Sequence, residues 1–95
     1  MYYNPIETGK RIRDTREALA LSQEEYSERL NISRNHLARI EIGLRTASIE
    51  VLIAVAELSN TTIDYLVMGK ETNSQRVKAD IRSVVNSLIK IEQEL

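Results

Sequence analysis

The sequence predicts an all-α chain: five short helices followed by a C-terminal amphipathic helix. Three observations carry that prediction. The residue choice is helical, rich in Leu, Ile, Ala, Glu and Arg, with three Gly, one Pro and four aromatics, all Tyr. Capping residues recur at helical intervals. The last segment repeats its apolar residues on a heptad.

Each element has a local reason. Pro5 suits the first turn of a helix from about Ile6 to Leu19, with Ile12 and Leu19 on one side and Arg11, Arg13 and Asp14 more exposed. The run "ALALSQEE" breaks it. Ser22 with Glu25 makes a capping box, which starts a second helix at Gln23 that ends near Leu30. Asn31 tolerates the left-handed conformation and turns the chain. Ser33 caps a third helix, Arg34 to about Ile42, and Gly43 stops it. Ser48 caps a fourth, Ile49 to Ser59, with Leu52, Val55 and Ala56 on its buried side and Asn60 at its end. Thr62 caps a fifth, Ile63 to Met68, closed by Gly69. These bounds make residues 6–69 one domain.

Residues 70–95 form a linker, within the segment "GKETNS" (69–74), and a tail. In the tail Val77, Ile81, Val84, Leu88, Ile91 and Leu95 are spaced 4, 3, 4, 3, 4, a seam that Val85 and Ile89 widen. As one helix, residues 74–95 would extend about 33 Å. A lone helix cannot bury such a stripe on itself. It needs either a second copy of the chain, which makes the tail a dimer seam, or its own domain.

Composition closes off other classes. The chain has no cysteine, which removes disulfides, thiolate zinc sites and Cys nucleophiles. It has no apolar run of membrane-spanning length, and "MYYNPIETGK" lacks the shape of a signal peptide, so the expected location is the cytoplasm. The acids of "SQEEYSE" read as a solvated helix face, because a hard-cation loop needs alternating oxygens and a Gly turn. His36 is the single histidine and has no carboxylate at a telling spacing. Nothing calls for a metal, a cofactor, a small-molecule ligand or an enzymatic activity.

The net charge is −1, yet the stretch from Arg29 to Arg45 carries Arg29, Arg34, Arg39 and Arg45 against Glu41 alone, a net +3. This is a local basic footprint on an acidic body. It falls on the third helix. With Leu37 and Ile40 turned inward, helical geometry turns Arg34, Asn35, Ala38 and Arg39 outward. Ser27 supplies the small residue where two helices cross, and Asn31 supplies the turn. Two helices joined in this way form a helix-turn-helix.

From about Glu7 to Met68 the sequence resembles the Cro and lambda-repressor type of helix-turn-helix domain, the xenobiotic-response-element family. The marks are R-I-R…R, L-S-Q-E-E, the I-S-R…L-x-x-I-E run, G-L-R and the ending T-I-D-Y-L. The resemblance implies a five-helix fold that binds double-stranded operator DNA, usually as a homodimer, with its third helix in the major groove. It implies a transcriptional regulator, a repressor by the shortness of the chain. It implies that Gln23 contacts a phosphate and braces the third helix. Ser33, Arg34, Asn35 and Arg39 would meet base edges or flanking phosphates, with His36 as a flanking contact. Arg45 and Thr46 would meet backbone phosphate. Arg16 and Glu41 match a buried ion pair between helices 1 and 3.

Several positions depart from that pattern. Thr15 and Tyr26 stand where Leu is usual, Ala20 where Gly is, Leu44 where Lys is, Ala47 where Pro is common and Ser59 where Leu is common. Leu44 removes one phosphate contact. Thr15 and Tyr26 imply a repacked, less stable core. Leu44 and the low net charge also support an alternative, a protein-interaction module on the same fold. Arg and Asn suit guanine and adenine edges respectively. Arg39 and Asn35 are therefore the expected base readers, while Arg34, at a helix N-terminus, suits either base or phosphate.

Overall fold

The computed structural model describes residues 3–70, which form five helices and, among the described residues, no strand. The tail positions from Val77 to Leu95 lie outside the described residues. The helices are α1 (Pro5–Ala18), α2 (Gln23–Leu30), α3 (Arg34–Glu41), α4 (Ile49–Ser59) and α5 (Ile63–Met68).

Side-chain caps set the starts. Asn4 accepts from the amides of Ile6 and Glu7 at 3.0 and 3.3 Å, placing Pro5 at the first helical position. Ser22 and Glu25 close the reciprocal capping box, each bond 3.1 Å. Ser22, through its backbone amide first and then its hydroxyl, holds the Glu25 carboxyl below the usual carboxylate range. Ser33, Ser48 and Thr62 cap α3, α4 and α5. Left-handed residues set the ends of α2 and α4: Asn31 at φ 59° and Asn60 at φ 52°.

The core gathers Ile12, Tyr26, Leu30, Leu37, Ile40, Ala47, Val51, Leu52, Val55 and Leu66. Every helix contributes to it. α1 packs most extensively on α3, and its backbone comes very close there: a Cβ at Gly9 would lie 2.1 Å from the Ile40 carbonyl oxygen. Only glycine permits that approach.

The structure corrects two expectations for α1. Leu19 is not on the buried side with Ile12; it is the C-cap and is 40% exposed. Leu19 keeps the helical phase, its amide still bonded to the Thr15 and Arg16 carbonyls, but it stands at the frayed last turn where the chain leaves for α2. Arg11 is not simply exposed either. Its Nη1 donates to the carbonyls of Leu66 and Val67, both at 3.2 Å, and so satisfies the open C-terminal end of α5.

The three unusual core positions prove to be neighbours. Tyr26 is fully buried, and its hydroxyl lies 2.9 Å from Thr15 Oγ1 and 2.8 Å from Ser59 Oγ. Thr15 Oγ1 in turn donates to the Ile12 carbonyl at 2.6 Å. Three departures from leucine thus form one chain of hydrogen bonds linking α1, α2 and α4. A lone tyrosine hydroxyl in an aliphatic core would be costly; a partnered one is not.

Candidate nucleic-acid interface

α3 is held from behind. Glu41 is buried on its inner side, and three donors converge on its carboxylate. Arg16 Nε donates to Oε2 at 2.8 Å and Nη2 to Oε1 at 3.1 Å, while Gln23 Nε2 donates to Oε1 at 3.1 Å. Arg16 spends its remaining nitrogen, Nη1, on the Leu21 carbonyl at 2.9 Å, in the loop ahead of α2. The Glu41 hydrogen bond pushes the Arg16 pKa upward against the opposing effect of burial. One carboxylate therefore ties α3 to α1 and to the first residue of α2. Gln23 lies in this network, and its amide keeps a second N–H for an outside partner.

The opposite face of α3 is open. The buried residues of the helix are Leu37, Ile40 and Glu41. At 100° per residue, Asn35 and Arg39 lie within about 30° of the direction opposite them, with Ala38 and His36 to either side. Asn35, Arg39, Ser33 and Arg34 are exposed, and His36 and Ala38 are half-buried. Ser33 is occupied as the helix cap. Arg45 and Thr46 follow the sharp turn at Gly43 (φ 82°) and are exposed. Among the described residues this brings Arg34, Asn35, His36 and Arg39 onto one helix, with Arg45 and Thr46 just beyond its end.

The arginines divide into two groups. Arg11, Arg13 and Arg16, all on α1, each have a carboxylate partner. Arg29 on α2 has no ion pair among the described residues, although its charge helps to lower the Glu25 pKa. Arg34, Arg39 and Arg45 have no hydrogen bond or ion pair among the described residues, and neither do the side chains of Asn35 and His36. The helix starts divide in the same way. α1, α2, α4 and α5 each carry an acid in the first turn, which suits the helix dipole, whereas α3 carries none and begins with Arg34. No described group of three His, Cys, Asp or Glu could hold a metal ion, and no described helix is long and apolar enough to cross a membrane.

Residues 12–66 match the Helix-turn-helix family. The chain belongs to the helix-turn-helix family. Within it, the chain is 33% identical over 73 residues to the HTH-type transcriptional regulator ImmR of Bacillus subtilis, a match that takes in 77% of this chain. The chain spans 57% of the length of that curated relative. The fold is that of the lambda-repressor-like proteins. It superposes on the P22 c2 repressor, solved with a synthetic operator, with a TM-score of 0.63 and 25% identity, over 66% of this chain and 96% of that one. It superposes on SinR, the master regulator for biofilm formation, solved with DNA, with a TM-score of 0.58 and 28% identity, over 62% and 95% of the two chains. These relatives are regulators and a repressor, not enzymes.

Sequence reasoning did not reach Asn4 as the cap of α1 or Arg11 as the closure of α5. The first is a local signal, Asn before Pro, that could have been read. The second pairs residues 55 and 56 positions apart and leaves no mark on any short window.

Proposed function

We propose that the chain is a sequence-specific DNA-binding transcriptional regulator, a repressor, that inserts α3 into the major groove of a palindromic operator as a homodimer. The observation that carries this reading is the division of the arginines. The arginines of α1 all have carboxylate partners, whereas Arg34, Arg39 and Arg45 are left without one on and beside a single exposed helix. Three guanidinium groups held unpaired together suit a polyanion. The operator and DNA complexes of the P22 c2 and SinR relatives support the same partner.

In this reading Ser33 and Arg34 meet the DNA with the first turn of α3. Asn35 and Arg39 face the groove floor, where the small Ala38 allows the backbone to come close. His36 flanks them. Arg45, Thr46 and the free N–H of Gln23 bind phosphates. Two copies paired through the tail stripe of Val77, Ile81, Val84, Leu88, Ile91 and Leu95 would set their recognition helices about 34 Å apart, one turn of DNA.

The test is salt titration of binding to random duplex. The affinity of the wild-type chain should fall steeply with salt. Arg45→Ala should weaken all sequences alike and lower the slope of log K against log salt by about one. The competing reading, a protein-interaction module, draws on Ile42 and Leu44, which are 61% and 71% exposed beside the same loop. Negligible duplex binding at every salt concentration would establish that reading and exclude ours.

A further inference from the structure

We infer that the operator half-site contains an A·T pair read by Asn35 and a G·C pair read by Arg39, one to three base pairs apart, and that these two contacts dominate base discrimination. The inference rests on the DNA-binding reading and extends it to the chemistry of the site recognised.

The geometry of α3 selects the two readers. Leu37, Ile40 and Glu41 fix which side faces the domain, and Glu41 is locked there by Arg16 and Gln23. The helix therefore cannot roll to present another face. Asn35 and Arg39 then sit nearest the outward pole, about 15° and 25° from it, while Ala38, His36 and Arg34 lie about 75° or more away. Asn35 and Arg39 are both exposed, and their side chains have no partner among the described residues.

Chemistry assigns the bases. The Asn amide matches the N6 donor and N7 acceptor of adenine. The guanidinium, which has donors only, matches the O6 and N7 acceptors of guanine. Helical rise sets the spacing. Four residues cover about 6 Å along the axis. Base pairs rise about 3.4 Å along the duplex. The two readers therefore fall close to two steps apart, with the length of the Arg side chain allowing one step either way.

The experiment is selection from a random duplex pool by the full chain and three variants, with far-UV circular dichroism as the check on folding. The substituted side chains are exposed and unbonded, so the fold should survive. Wild type should enrich one half-site. Asn35→Ala should flatten the preference at one A·T pair only, and Arg39→Ala at one G·C pair only, with roughly tenfold to hundredfold loss of discrimination at each. Arg39→Lys, which keeps the charge and loses the fork, should flatten the same G·C pair while leaving the salt slope unchanged.

A wild-type half-site whose logo is unchanged in Asn35→Ala or Arg39→Ala overturns the inference and leaves the DNA-binding reading standing. So does flattening at the wrong base type, or at positions more than three pairs apart. Failure of wild type to enrich any sequence, together with salt-independent or absent duplex binding, overturns both.

Discussion

Tyr26 shows how a single polar atom can reorganise a core. Its hydroxyl touches Thr15 and Ser59, and none of the three has the leucine usual at its place. Tyr26 is the centre of the chain, so reverting it alone would take a partner from both the others. Tyr26→Phe is the mildest probe, because it keeps the ring and removes only the oxygen. It should cost about 1–2 kcal/mol in urea unfolding, since two hydroxyls lose a buried partner. An unchanged midpoint would mean that the network contributes nothing. Ala20 makes the opposite case. It is exposed and holds φ 57°, a conformation that costs an alanine about 1–2 kcal/mol. Ala20→Gly should raise stability by about 0.5–1 kcal/mol, after allowance for the extra freedom glycine gives the unfolded chain. A fall in stability would show that the turn is not strained.

Among the elements, α1 is the one on which the others are seated. Gly9 lies against the last carbonyls of α3, Arg16 holds Glu41, and Arg11 closes α5. A methyl at Gly9 would run into the backbone of α3 at Ile40 and Glu41, which has no rotamer to yield. Gly9→Ala should therefore destabilise the domain by about 3 kcal/mol, measured by thermal or urea denaturation. A near-neutral effect would mean that α1 and α3 slide freely. Helix existence was legible in the sequence because caps act over three residues. Ser22 with Glu25, Ser33, Ser48 and Thr62 all cap where local chemistry put them. The outward face of α3 was legible for the same reason, since Leu37 and Ile40 fix its phase. What was not legible is what spans the chain. The partners of Arg11 and the second partner of Tyr26 lie 55, 56 and 33 residues away, and no periodicity announces them. Leu19 was misplaced because periodicity gives the side of a helix a residue lies on, not whether a neighbouring element covers its last turn.

At the scale of the whole molecule the proposed dimer gives the domain and the tail separate tasks. A single α3 offers few contacts to the duplex, and eight helical residues cover little more than one groove crossing. Pairing two domains multiplies affinity through effective concentration. Removal of residues 74–95 should shift the particle from dimer towards monomer in sedimentation and weaken binding to a two-half-site operator. Binding to a single half-site should change far less. A truncated chain that sediments as the same dimer would place the pairing surface on the helical domain instead.

The anchoring of Glu41 has a consequence for how such a protein can change its target. The carboxylate, Arg16 and Gln23 set the angle of α3 from its inner side. The side chains at 35 and 39 take no part in that support. If they read the operator as proposed, exchanging them should alter what is recognised without altering how the helix is held. New binding preferences are then a matter of two exposed positions rather than of a new fold, and a domain retargeted at those two alone should keep the stability of its parent.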